Sequence, residues 1–175
     1  RQRGFLGPHL PTQFRPLCRR LAAASWVFCA TNVPAETLAA LIAKRQGARF
    51  KLAIDAVSTP KAARLPKDLN GIDLLFMNID EANAILGQTN PHTSEGAKQS
   101  ALALQKAGAG MAVVSAGAQG MAVAGRETVD FVKAVRAAPV DMTGAGDAMI
   151  AATLHRLLEG DEIFDAARTG ALAAT

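Results

Sequence analysis

The sequence predicts a three-layer α/β/α sandwich around a mostly parallel β-sheet. Apolar runs of strand length alternate along the chain with segments of helical periodicity, which is the pattern of such a sheet. The run at 73–77 is apolar after its first residue, which is typical of a strand covered on both faces. Polar residues and glycines follow several of these strands, and sheets of this class bind ligands there.

The expected elements follow in chain order. Strands are predicted at 26–30, 50–54, 73–77 and 111–115, and a hairpin at 121–124 and 128–132 turns around Gly125 and Arg126. A helix is predicted at 34–46, where Leu38, Leu41 and Ile42 recur at helical spacing, and others at 78–86, 94–106, 144–159 and 163–174. Residues 60–69 are expected to form a loop with room for one helical turn. Residues 1–25 are expected to be an irregular lead-in.

Composition excludes several classes of protein. The chain has 175 residues, 50% of them apolar, which fits one globular domain rather than a disordered protein. The net charge of +4 comes largely from arginines before the first strand, without interleaved aromatic residues, so no nucleic-acid partner is expected. The apolar run at 21–30 is too short to span a bilayer, so no membrane partner is expected either. Cys18 and Cys29 form no disulfide framework and suit a reducing, cytoplasmic compartment.

The segment 141–147, Asp-Met-Thr-Gly-Ala-Gly-Asp, runs directly into an apolar helix. The first backbone N–H groups of a helix lack intrahelical partners, and Gly144 and Gly146 carry no Cβ that would keep an anion away. Asp147 then lies in the first helical turn, where it can accept a proton from a hydroxyl that attacks phosphorus. The simpler interpretation is a glycine-rich loop that only starts a helix.

This segment resembles the second signature of the PfkB-type, ribokinase-like carbohydrate kinases. The resemblance implies that Gly144, Ala145 and Gly146 form the anion hole and that Asp147 is the catalytic base. The match departs at Met142 and Ala152, which removes no chemical group. In many members, residues near Asp141 and Thr143 bind a monovalent cation such as K⁺, and the same role is expected here.

Asn78 and Glu81 stand at the end of a strand and open a helix. The family has an Asn-x-x-Glu motif at the corresponding place, which implies that both residues serve Mg²⁺, with Asn78 also near the nucleotide. Amide and carboxylate oxygens suit Mg²⁺, which keeps several waters and needs few protein ligands. The alternative is simple helix capping, with Asn78 as the cap and Glu81 at the third helical position.

Two further segments match the family. The segment 113–120 resembles the stretch that lines the ATP site, which implies that Ser115, Gly117 and Gly120 bind the cofactor, although an ordinary turn between strands fits as well. The segment 55–65 resembles pseudouridine kinases and implies a pseudouridine or other ribosyl substrate. Asp55 is grouped with the cofactor-binding residues, and its alternative role is to cap the following loop.

The resemblance therefore implies an ATP- and Mg²⁺-dependent phosphotransferase that acts on a hydroxyl of a small sugar or nucleoside. It runs from about Trp26 to the last residue, so one incomplete kinase domain, trimmed at both ends, is expected. On that expectation the chain alone has little activity, and a homodimer of a longer parent is left open. A non-catalytic kinase remnant that acts as a binding module is the main alternative. A dinucleotide-binding oxidoreductase is disfavoured because Met149 stands where its fingerprint needs Gly or Ala.

Overall fold

The computed structural model describes residues 21, 23–135 and 144–175. Its centre is a six-stranded sheet whose spatial order follows the chain order from β1 to β6. The first four strands pair in parallel, and the last two pair antiparallel, so the sheet is mixed and mostly parallel as predicted. The strands are β1 (Trp26–Ala30), β2 (Lys51–Asp55), β3 (Leu74–Asn78), β4 (Met111–Ser115), β5 (Gly120–Ala124) and β6 (Val129–Lys133).

Helices connect the parallel strands and continue after the hairpin. They are α1 (Ala35–Arg45), α2 (Thr59–Ala62), α3 (Ile79–Leu86), α4 (Ser94–Lys106), α5 (Ala145–Glu159) and α6 (Ile163–Ala173). Local signals set their ends: the Thr93 side chain accepts a hydrogen bond from Gly96 N–H at 3.1 Å, and Gly87 ends α3 in the left-handed conformation. The helical turn expected within 60–69 is α2, and it begins one residue earlier, at Thr59.

Successive side chains of the central strands pack alternately on the two opposite faces of the sheet. On one face, Leu52, Ile54 and Leu75 pack in a core that includes Leu38 of α1 and Leu104 of α4. On the other face, side chains of the same strands pack with those of α5 and α6, and this core includes Ala53, Leu74, Phe76, Met149 and Ala167. Two apolar cores on opposite faces of one sheet make the three-layer α/β/α sandwich, which confirms the predicted fold class.

Three parallel strands end on the same side of the sheet, and β2 ends level with Phe76, two residues before the end of β3. Asp55 ends β2, Asn78 ends β3 and Ser115 ends β4. The register pairs Asn78 with Ser115 and Asp55 with Phe76, so the three polar side chains stand next to one another along this edge. The sheet therefore brings the polar residues predicted from the sequence close together at its carboxyl end.

Among the described residues, no helix has the length and apolar character required to cross a membrane. Of the expected irregular lead-in at 1–25, residues 1–20, with Cys18, and residue 22 lie outside the described residues, as do Asp141, Met142 and Thr143. Leu21 and Ala23 are helical, and Leu21 is buried in the core, so this part of the lead-in is not irregular. Cys29 lies partly buried in β1.

Candidate active site

A cleft of about 230 Å³ opens at the carboxyl edge of the sheet. Six of the residues singled out in the sequence line it, and they come from three strands and two helices. These residues are Asp55, Asn78, Glu81, Ser115, Gly146 and Asp147. The fold thus brings the Asn-x-x-Glu pair, the serine and the glycine loop to a common site, as expected from their positions at strand ends.

Asn78 and Glu81 form a reciprocal capping box at the start of α3. The Asn78 side chain accepts from Glu81 N–H at 2.8 Å, and the Glu81 carboxylate accepts from Asn78 N–H and from Asn78 Nδ2, each at 2.9 Å. Glu81 is only 4% exposed. The capping interpretation is therefore correct as a description of local structure, and it fixes both side chains at the wall of the cleft.

Three carboxylates share this cleft and interact unfavourably. Burial raises the pKa of Asp55 above its ordinary value, and repulsion from Asp147 raises it further, against the hydrogen bonds that lower it. Burial also raises the pKa of Glu81, with a smaller contribution from Asp55. Neighbouring carboxylates that repel one another across a cleft favour a bound cation, because it removes the repulsion and replaces lost hydration.

The amino end of α5 forms the opposite wall. Gly144 precedes the helix with φ of 84°, a left-handed conformation that favours glycine, and within the described residues no side chain caps this end. A Cβ built on Gly144 or Gly146 would meet no described atom within 4 Å, so this side of the loop faces open space. Asp147 is exposed in the first turn, and Met149 and Ile150 anchor the helix on the sheet. The arrangement combines helix amides with an accessible carboxylate.

Comparison with known proteins identifies the family. The model of the pfkB family carbohydrate kinases matches residues 18–175. The chain belongs to this family. No curated protein matched the sequence.

Solved structures of pfkB-type kinases share the fold. A carbohydrate kinase from Agrobacterium tumefaciens is 34% identical, with a TM-score of 0.77 over 91% of this chain and 50% of that one. A ribokinase from Thermotoga maritima is 19% identical, with a TM-score of 0.74 over 89% and 50%. Phosphofructokinase-2 from Escherichia coli is 22% identical, with a TM-score of 0.73 over 92% and 54%. The chain therefore spans about half the length of the solved kinases it matches.

Kinases of such a family use ATP, typically with Mg²⁺, and act on a small-molecule substrate. The cleft has the kinds of groups that would bind such ligands. Oxygen ligands from Asp55, Asn78 and Glu81 lie on one wall, and helix amides lie on the other. In the described part of the chain, no three His, Cys, Asp or Glu side chains are grouped closely enough to hold a metal by themselves.

Four of the predicted site residues within the described part of the chain do not line the cleft. Gly144 and Ala145 precede its helical wall, and Gly117 begins the short 3₁₀ turn Gly117–Gln119 after β4. Gly120 is buried where β5 starts, and a Cβ there would collide with the main chain at Val132 of β6 and at Ala134 just after it. Glycine at 120 thus has a structural reason of its own. The predicted nucleotide and phosphate roles of these four residues stay predictions.

The cleft also contains residues that the sequence interpretation did not select as site residues. Val57, Phe76, Met77, Met149 and Ile150 supply its apolar lining. Met149 and Ile150 could have been found from their helical spacing to Gly146, since residues three or four positions apart share a helix face. Val57 could not have been found from the sequence. Its place in the cleft lining depends on a positive φ of 64°, which is an outlier for a β-branched residue.

Proposed function

We propose that this chain carries the phosphate-binding and proton-accepting part of an ATP-dependent kinase that phosphorylates a hydroxyl of a sugar or nucleoside. One observation supports this most strongly. Asp147, in the first turn of α5, shares a single cleft with Asp55, Asn78, Glu81 and Ser115 from the facing sheet edge. A carboxylate beside helix amides, opposite oxygen ligands for a cation, is the arrangement that phosphoryl transfer needs.

Asp147 is the proposed general base. Its side chain is exposed at the cleft, so an incoming hydroxyl can reach it. The hydroxyl would donate its proton to a carboxylate oxygen of Asp147 as its own oxygen attacks phosphorus. The neighbouring amides of Ala145 and Gly146 would stabilise the negative charge on the transferring phosphoryl group, because helix amino ends attract anions.

Glu81 and Asn78 are the proposed Mg²⁺ residues, acting in part through water, and Ser115 is proposed to donate a hydrogen bond to a phosphate oxygen. When bound, Mg²⁺ would neutralise phosphate charge during transfer. The capping box holds the Glu81 carboxylate in one orientation, so its position does not depend on the ligand. A K⁺ site near Asp141 and Thr143 is part of the proposal and lies outside the described residues.

The proposed substrate is pseudouridine first, and ribose or another nucleoside next. Support comes from the resemblance of the segment 55–65 to pseudouridine kinases. The beginning of this segment, at Asp55 and Val57, lines the cleft. A panel of pseudouridine, ribose, other nucleosides and hexoses tests this choice, and reaction with hexoses alone would reject it.

The decisive experiment replaces Asp147 by Asn. The variant is made in the 175-residue chain and in any longer polypeptide that contains it, and ADP formation and ATP binding are measured. We expect kcat to fall by at least ~10², the usual size of general-base catalysis, with ATP affinity unchanged. Asp165→Asn is the matched control, because Asp165 lies in the first turn of the neighbouring helix α6 and pairs only with Arg168 in the described structure.

Wild-type turnover in Asp147→Asn would rule out the base. ATP binding without turnover in every polypeptide tested would favour the binding-module alternative.

A further inference from the structure

The turn that carries Asp55 into the cleft is strained and weakly held by its own bonds. Val57 has a positive φ of 64°, a conformation that costs a β-branched residue free energy. Within the turn, Ser58 N–H donates to Ala56 O at 2.7 Å, while Val57 N–H reaches the Asp55 carboxylate only at 3.4 Å. Such a turn persists only when the surrounding structure imposes it.

Thr31, directly after β1, supplies two of the bonds that impose this turn. Its N–H donates to Asp55 O at 2.9 Å, and its hydroxyl donates to Ala56 O. Thr31 is 0% exposed, so water does not compete for these bonds. On the other side, Ala56 N–H donates to Phe76 O at 3.1 Å, which ties the same turn to β3. The Asp55–Ala56 main chain is thereby held between the ends of β1 and β3.

Arg64 in turn holds Thr31. Its Nη1 donates to three consecutive carbonyl oxygens, those of Thr31 at 2.8 Å, Asn32 at 3.1 Å and Val33 at 3.2 Å. Arg64 follows α2, so the chain that leaves the strained turn folds back and clamps the segment that holds that turn. Hydrogen bonds from a charged donor to carbonyls are stronger than neutral ones. Thr31 bonds to the Asp55–Val57 turn, Arg64 bonds to Thr31, and the chain through α2 joins the turn to Arg64. The three therefore form a closed ring of contacts.

We propose that Thr31 and Arg64 are positioning residues that hold the Asp55 carboxylate at the cleft. Thr31 bonds to the main chain of Asp55 and Ala56, and Arg64 bonds to the carbonyls of residues 31–33, so both act on the cleft through this turn. This inference rests on the proposed function, because a fixed Asp55 matters only where the cleft binds Mg²⁺ and phosphate. Asp147 repels the Asp55 carboxylate, so hydrogen bonds to the Asp55 turn are needed to hold that carboxylate at the cleft. Holding it there also preorganises the oxygen ligands before the cation arrives.

The test uses three variants and two measurements on the 175-residue chain. Thr31→Val removes the hydroxyl at nearly constant shape, Thr31→Ser keeps it, and Arg64→Met removes the guanidinium from an exposed side chain that contributes little to either core. Amide hydrogen exchange at Ala56 reports the turn directly. The Mg²⁺ concentration for half-maximal ATP binding reports the placement of Asp55, and loss of stability alone does not change this value in protein that remains folded.

We expect faster exchange at Ala56 and a roughly fivefold or larger increase in the half-maximal Mg²⁺ concentration for Thr31→Val, as for the loss of one hydrogen bond. Arg64→Met should show the same direction, and it keeps the test informative where Thr31→Val does not fold. Thr31→Ser should restore both values. Ser100→Ala is the control, because Ser100 is equally buried, accepts a 2.9 Å hydrogen bond from Asn90 Nδ2 and does not line the cleft.

Each outcome decides one point. Unchanged exchange at Ala56 in both Thr31→Val and Arg64→Met would overturn the ring of contacts. Faster exchange with an unchanged Mg²⁺ requirement would reduce the ring to a structural role and overturn the positioning. A wild-type chain that binds ATP without any Mg²⁺ dependence, or not at all, would overturn the proposed site itself, and the exchange data would still show separately whether the ring exists.

Discussion

Replacing Gly170 by Ala tests how closely α5 and α6 must approach. Gly170 lies in α6 and faces α5, which carries Asp147. A Cβ at this position would collide with Thr153 Oγ1. It would also lie 2.7 Å from Met149 O and 3.4 Å from Met149 Cγ. Real Cβ atoms essentially never come within 3.0 Å of such atoms, and the backbone oxygen of Met149 cannot rotate away. The two helices would therefore have to separate.

The expected size follows from three contributions. Alanine is more favourable than glycine inside a helix by about 1 kcal/mol. Displacing the Thr153 hydroxyl weakens or breaks its 2.8 Å hydrogen bond to Met149 O, which is worth about 1 kcal/mol. This loss roughly cancels the gain from alanine's higher helix propensity. Overpacking of a close helix contact then leaves a net loss of about 1–3 kcal/mol in the free energy of unfolding. For a chain of this size, the melting temperature falls by about 2–4 °C for each kcal/mol.

Thermal and urea unfolding of the wild type and Gly170→Ala measure this loss. Gly47→Ala is the matched control, because a Cβ at Gly47 would meet nothing within 4 Å. Combining Gly170→Ala with Thr153→Ala should recover part of the loss, since one of the two colliding groups is then gone. A Gly170→Ala variant as stable as Gly47→Ala would show that the helices are not in close contact at this point.

Three further predictions concern the cleft. Val57→Asn should raise the free energy of unfolding by about 1 kcal/mol, because Asn tolerates positive φ, and a lower melting temperature would contradict the strain at this residue. Asp55→Asn should raise the melting temperature at pH 7 and less so near about pH 4. The folded-state pKa of Asp55 is raised, so its contribution to stability is present in acid and is lost as pH rises through that pKa. An equal gain at both pH values would refute this. Glu81→Gln should keep the helix cap, because Gln also serves at this position of a capping box, and should raise the Mg²⁺ requirement; unchanged Mg²⁺ titrations would remove Glu81 from the proposed metal site.

The sequence predicted the elements well where local signals determine them. The strand at 26–30 and the helix at 94–106 have the predicted bounds, and the helix expected at 163–174 ends one residue earlier, at Ala173. Caps, glycines and the period of apolar residues act over a few positions, so they can be recognised in one sequence. The shared side of the sheet at which Asp55, Asn78 and Ser115 lie follows from the parallel pairing of their strands, which explains why the cleft was predicted from them.

The contacts that hold the cleft in shape could not be predicted in this way. Arg64 bonds to residues more than thirty positions earlier, and nothing near Arg64 in sequence indicates those carbonyls. The need for glycine at 120 and 170 likewise arises from neighbouring elements, β6 and α5, rather than from the local chain. Long-range packing of this kind is determined by the assembled structure, and single-sequence patterns do not encode it separately.

The order of the strands has a consequence for synthesis on the ribosome. Because each strand pairs with the strand that precedes it in the chain, the sheet can grow at one edge as the polypeptide emerges. The wall of the cleft with Asp55, Asn78 and Ser115 precedes α5 in the chain, so it can form while α5 is still inside the ribosome. On this order the nascent chain would assemble its ligand-facing carboxylates before it acquires Asp147, the residue proposed to remove the proton.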